Sequence, residues 1–126
     1  MSDTGSEHAP GDPVALGSVL SDDLLAISRR ALDAAMYETA YHALAGALHG
    51  AEAPVDGDRL RAIQDEAARQ QDIVDANAPE HRLSRPFGRT QGRAGWYDAL
   101  VVQVTAVLSR ERATAALDRS VARREG

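Results

Sequence analysis

The sequence predicts an all-α fold, a small bundle of three to four helices, on three observations. Apolar residues recur at spacings of three and four along most of the chain, which is the period of one helix face. Only 4% of the 126 residues are aromatic. The core must therefore come from Leu, Ile, Val and many alanines, a thin core that suits helices packed closely together. The one strand-like run, Leu100 to Leu108, is rich in β-branched residues but has no second strand to pair with, so it reads as helix.

The first helix is expected from Ser21, a good N-cap, with Asp22 and Asp23 in the positive first turn. Leu24, Leu25, Ile27, Ala31 and Leu32 supply its apolar face. One helix through to residue 49 is locally permitted, but a turn near Asp33 to Met36 would split it into a hairpin. In that hairpin Leu24, Ile27, Ser28 and Ala31 face the stripe of Tyr37, Ala40, Leu44, Ala47 and Leu48. Gly50 then serves as the C-terminal cap. Pro54 and Gly57 mark the link 51–57 as a loop. A third helix spans about Asp58 to Asn77 on Leu60, Ile63, Ala67, Ile73 and Val74, with Gln70 and Gln71 interrupting its face, and Pro79 stops it. Residues 79–95, with two prolines and three glycines, read as an irregular Arg/Gly/Pro-rich loop. The last helix starts near Trp96, an expected core anchor, and runs to about Arg119 on Tyr97, Leu100, Val101, Val104, Val107 and Leu108. The expected organisation is a disordered acidic leader over 1–20, one helical domain over 21–120, and a frayed tail over 121–126.

Composition bounds the chemistry. The chain has no cysteine, which excludes disulfides, thiolate catalysis and cysteine-based metal sites. All 14 basic residues are arginine, so lysine Schiff-base chemistry and a Walker-type phosphate loop are excluded too. No apolar run is long enough for a membrane span. The N-terminal stretch lacks the basic start and apolar core of a signal peptide, so the expected location is the cytoplasm. Net charge is −5, but unevenly spread. Residues 81–126 hold nine arginines and four acids, while the chain before them is acidic throughout. That positive segment either folds back on the chain's own acids or meets an acidic or phosphate-bearing partner.

Leu24 to Leu48 resembles a single tetratricopeptide-type helix pair. Leu24, Ile27 and Ser28 stand where that family places a large residue, a leucine-like one and a small one on its first helix. Ala35, Tyr37 and Ala40 match the small residue at the turn, the aromatic two further on and the alanine three beyond. Leu44 and the Ala47-Leu48 pair complete the second helix. Ala35 replaces the usual glycine, which implies a less sharp turn, and Pro54 matches the closing proline only loosely. No second repeat follows, because Gln70 and Gln71 fall where its turn belongs. The resemblance thus implies one degenerate repeat-like hairpin capped by other helices, since an array needs about three repeats to bury its core.

No constellation amounts to an active site. His42 and His49 lie two helical turns apart, about 10 Å, too far to share one ion comfortably even with Glu38 nearby. Gly88 to Gly95 is a glycine-containing loop before a helix, but it lacks the Gly-Lys-Ser/Thr ending and a preceding strand. Ser84, Ser109 and Asp98 have no recognisable catalytic partner. No metal and no cofactor are expected. The function expected is therefore a small non-enzymatic interaction module, an adaptor or scaffold binding another protein or a second copy of itself. Its candidate contact residues are Tyr41 and His42 on the hairpin and Arg82, Arg85, Arg89 and Arg93 in the loop. The alternative is a regulatory helical domain that uses the 82–93 arginines, flanked by Phe87 and Trp96, on nucleic acid or a phosphate ligand. The acidic average weighs against general nucleic-acid binding.

Overall fold

A computed structural model describes residues 13–125. These residues are almost wholly helical and contain no strand: α1 Pro13–Asp33, α2 Tyr37–Glu52, α3 Gly57–Asn77, α4 Arg85–Thr90 and α5 Trp96–Glu125. The all-α expectation holds. The chain divides into two compact units, one ending at Arg59 and the other beginning at Leu60.

In the first unit α1 and α2 form an antiparallel pair. Ser21 Oγ donates to the Ala47 carbonyl at 2.8 Å and Ser28 Oγ to the Ala40 carbonyl at 2.6 Å, both in buried positions. The interface is built largely from small residues. Ala31, Ala40, Ala43, Ala47 and Ala51 are buried, joined by the larger Leu32, Leu44 and Leu48. Small side chains let the helices approach until a Cβ placed on Gly50 would lie 2.8 Å from the Gly17 carbonyl oxygen. Gly50 is therefore not the cap expected of it. It lies inside α2, which continues to Glu52, and its missing side chain is what admits α1.

Three other expectations for this unit change. The first helix starts at Pro13, so Ser21 is an interior residue whose hydroxyl bonds across to α2 instead of capping α1. Residues 13–20 of the expected disordered leader are helical, and residues 1–12 lie outside the described residues. Ile27, assigned to the core stripe, is 42% exposed. The split near Asp33 to Met36 does occur, and it is sharp. Met36 N–H donates to the Ala31 carbonyl and Ala35 N–H to the Leu32 carbonyl, the paired bonds of a Schellman ending. Ala35 holds the left-handed position at φ 59° without being glycine.

Arg59 closes this unit. Its guanidinium donates twice to Asp22, Nε to Oδ1 and Nη2 to Oδ2, each at 2.8 Å, and also to Asp56. The hydrogen bonds from Arg59 hold the Asp22 carboxyl below its ordinary range. Asp56 is likewise lowered, chiefly by the Arg59 backbone N–H at 3.1 Å. The same two carboxylates push the Arg59 guanidinium upward.

The second unit pairs most of α3 with α5, again antiparallel, but through long side chains. Tyr97 OH donates to Gln70 Oε1 at 2.7 Å, and Gln64 Nε2 donates to Thr105 Oγ1 at 3.0 Å. Leu60, Ile63, Ala67, Val74, Leu83, Leu100, Val104, Val107 and Leu108 are buried around them. Gln70 and Gln71, expected to interrupt the apolar face, are core residues instead. Gln70 Nε2 donates to the buried Glu66, which also takes Nη2 of the exposed Arg69 at 2.7 Å, so the buried carboxylate and amide are both satisfied. The buried aromatic is Tyr97 and not Trp96, which is half-buried.

The segment 79–95 is not loop throughout. Ser84 caps α4 by accepting the Phe87 N–H at 3.0 Å, and Pro86 sits in the first turn, where its missing N–H costs nothing. At the other end α5 continues to Glu125, so residues 121–125 of the expected frayed tail are helical.

Candidate interaction surfaces

The arginines of 82–93 lie in the second unit, and three of the four are engaged by its own groups. Arg85 is held by three carboxylates from two helices. Its Nη1 reaches Asp75 at 3.3 Å and Asp72 at 3.8 Å, and its Nη2 reaches Asp98 at 3.2 Å. Its backbone N–H also donates to Asp75 Oδ1 at 2.9 Å. Hydrogen bonding to Asp98, then the nearby acids, raises the guanidinium further above its ordinary value. The Arg82 guanidinium lies over the Trp96 ring at 4.8 Å from the centroid, and Arg93 over Phe87 at 5.8 Å. Arg89 is exposed. Gly95 leaves room beside this cluster. A Cβ there would lie 3.2 Å from both Asp98 Oδ2 and Gln71 Oε1, the latter a buried oxygen with no hydrogen-bond partner among the described residues. The aromatic residues flanking the arginines are thus stacked on them, and Arg85 spends its charge on Asp72, Asp75 and Asp98.

Tyr41 and His42 lie on α2 in the first unit. The Tyr41 ring meets His42 edge-on, with centroids 5.6 Å apart and planes at 74°. Tyr41 is half-buried, which pushes its phenol up, and His42 is exposed. These two residues are adjacent on α2.

Sequence reasoning missed an apolar surface on α1. Leu16 is 50% exposed, Val19 54%, Leu20 47% and Met36 54%, and Ile27 joins them. Leu16, Leu20 and Ile27 fall on one stripe of α1, and Ala34, just past its end, continues the spacing to five whole turns from Leu16. At its C-terminal end the stripe runs into an open hollow of about 530 Å³ lined by Ile27, Arg30, Ala31, Ala34, Met36 and Thr39. The signal is present in the sequence, because the apolar period of α1 extends backward through Leu20 to Leu16. It is obscured when everything before Ser21 reads as leader.

The three buried serines among the described residues are committed to structure. Ser21 and Ser28 bond backbone carbonyls, and Ser84 caps α4 while donating to the Pro79 carbonyl. Among the described residues no three His, Asp or Glu side chains are placed to hold a metal ion. No helix among them is long and apolar enough to cross a membrane. Comparison with family models, with curated proteins and with solved structures finds no match.

Proposed function

We propose that the chain is a small protein-interaction module whose contact surface is the outer face of α1. The observation that carries this reading is the run of large apolar side chains left at the surface of α1, beside the face whose Ser21 and Ser28 are already used against α2. Isolated exposed apolar residues are ordinary, but a contiguous stripe ending in an apolar hollow is what helix-in-groove contacts employ. The sharp turn at Ala35 and the small-residue packing of α1 on α2 support the likeness to a single tetratricopeptide-type hairpin. In that reading the hairpin presents α1 as its binding helix, with Tyr41 and His42 on the other helix as flank. The alternative, a nucleic-acid or phosphate site on the 82–93 arginines, has less behind it, since Arg85 is neutralised by three carboxylates.

A photo-crosslinking residue in place of Leu20 or Ile27, in the full chain expressed in its host, is expected to give a discrete protein adduct. The same probe at exposed Ala68 on α3 serves as control. Adduct formation no stronger from α1 than from position 68 refutes the assignment.

A further inference from the structure

Resting on that reading, we infer that the occupant of the α1 face is a second copy of this chain, its α1 packed antiparallel across a two-fold axis near Ala26 and Ile27. The stripe is self-complementary about that point. Leu16, Leu20, Asp23, Ile27, Arg30 and Ala34 follow one another at spacings of four, three, four, three and four, so a charged pair of opposite sign is built into an apolar seam. Asp23 and Arg30 are both exposed, and neither makes an ion pair among the described residues. Each lies three or four residues, about 5 Å, from the midpoint on opposite sides.

A two-fold axis makes an interface isologous, so whatever one end of the stripe presents must fit the other end. Antiparallel pairing brings Asp23 of each copy to Arg30 of the other, making two equivalent ion pairs. It also sets the Leu16, Val19 and Leu20 end of one helix against the hollow lined by Ala34 and Met36 on the other. Ile27, the stripe residue nearest the axis, meets its own copy there. Parallel pairing would instead oppose Asp23 to Asp23 and Arg30 to Arg30, with nothing to fill the hollow. The charge pattern therefore selects the antiparallel arrangement.

The test is sedimentation equilibrium of the full chain up to ~1 mM, the weak end of affinities that one small helix face supports. The wild type is expected to dimerise. Asp23→Arg and Arg30→Asp each oppose like charges across the axis, and each is expected to raise the dissociation constant at least about tenfold while helical circular dichroism stays unchanged. An equimolar mixture of the two variants is expected to form a heterodimer, because the two arginines of one chain then face the two aspartates of the other. The double variant D23R/R30D is expected to recover wild-type association. A monomeric wild type overturns the inference, as does a wild-type dimer that either single variant leaves intact. Two monomeric variants that fail to combine also overturn it. A monomeric wild type that still crosslinks from Leu20 to a different protein would overturn self-pairing alone and leave the interaction face standing.

Discussion

The two helix pairs of this chain solve the same packing problem with opposite materials. In the α1–α2 pair the contact is made by alanines, two serine hydroxyls and the space left by Gly50, so the backbones come close and the hydroxyls reach carbonyls on the facing helix. In the α3–α5 pair the contact is made by Tyr97, Gln70 and leucines, and side-chain polar groups of one helix bond those of the other. Small residues lose little side-chain entropy on folding and add little hydrophobic area. Large ones bring more of both and must satisfy any polar atom they bury. The first pair depends on fit and the second on completed hydrogen bonds.

Because of that contrast the two pairs break in different ways. Gly50→Val forces side-chain atoms into the Gly17 carbonyl and Ser21, and is expected to cost about 3 kcal/mol, at the upper end for overpacking. The urea midpoint of the full chain reads this, and an unchanged midpoint would mean the backbones are not in close approach. Tyr97→Phe keeps the ring and removes only the donor to Gln70, with an expected loss of about 1–2 kcal/mol. The same measurement showing no loss would place the second pair with the first, held by shape alone. Ala35→Gly acts in the opposite direction. It relieves a non-glycine residue of left-handed backbone, and thermal unfolding is expected to show about 1 kcal/mol of added stability.

The smallest expected effect concerns Arg59. Asp22 and Asp56 have carboxyls lowered by this arginine, so their contribution to stability is complete above the ordinary carboxylate pKa near 4 and is lost as pH falls through and below it. Arg59→Leu is expected to cost about 0.5 kcal/mol at neutral pH, the usual worth of a largely exposed pair, and nothing at pH 2. A cost that persists at pH 2 would show that Arg59 acts by packing its stem and not by its charge.

Features set by near neighbours in the chain are legible without the structure. The turn at 33–36, the span of α3 and the helical nature of Leu100–Leu108 all follow from periodicity and local breakers. The failures share one cause, a role set by a distant neighbour. Ser21 resembles a cap until the Ala47 carbonyl stands opposite it. Gly50 resembles a stop until the Gly17 carbonyl approaches it. Gln70 resembles an interruption until a hydroxyl 27 residues away completes it. Arg85 looks open to a ligand until three acids from two helices surround it. Trp96 and Tyr97 are adjacent and both aromatic, and only their angular position on α5 sends the second inward and leaves the first beneath Arg82.

The class of fold, the places where helices break and the chemistries ruled out by having no cysteine and no lysine are all written in the order and kind of the residues. They are consequences of backbone preference, side-chain period and the donor groups present, which act at short range or through composition. Which face of α1 is buried is not written there, because it depends on what stands opposite. The two serines and the alanines on one side fit against α2, since small residues permit contact at a distance that leucine does not. That choice turned Leu16, Leu20 and Ile27 outward, and with them the surface on which the proposed function rests.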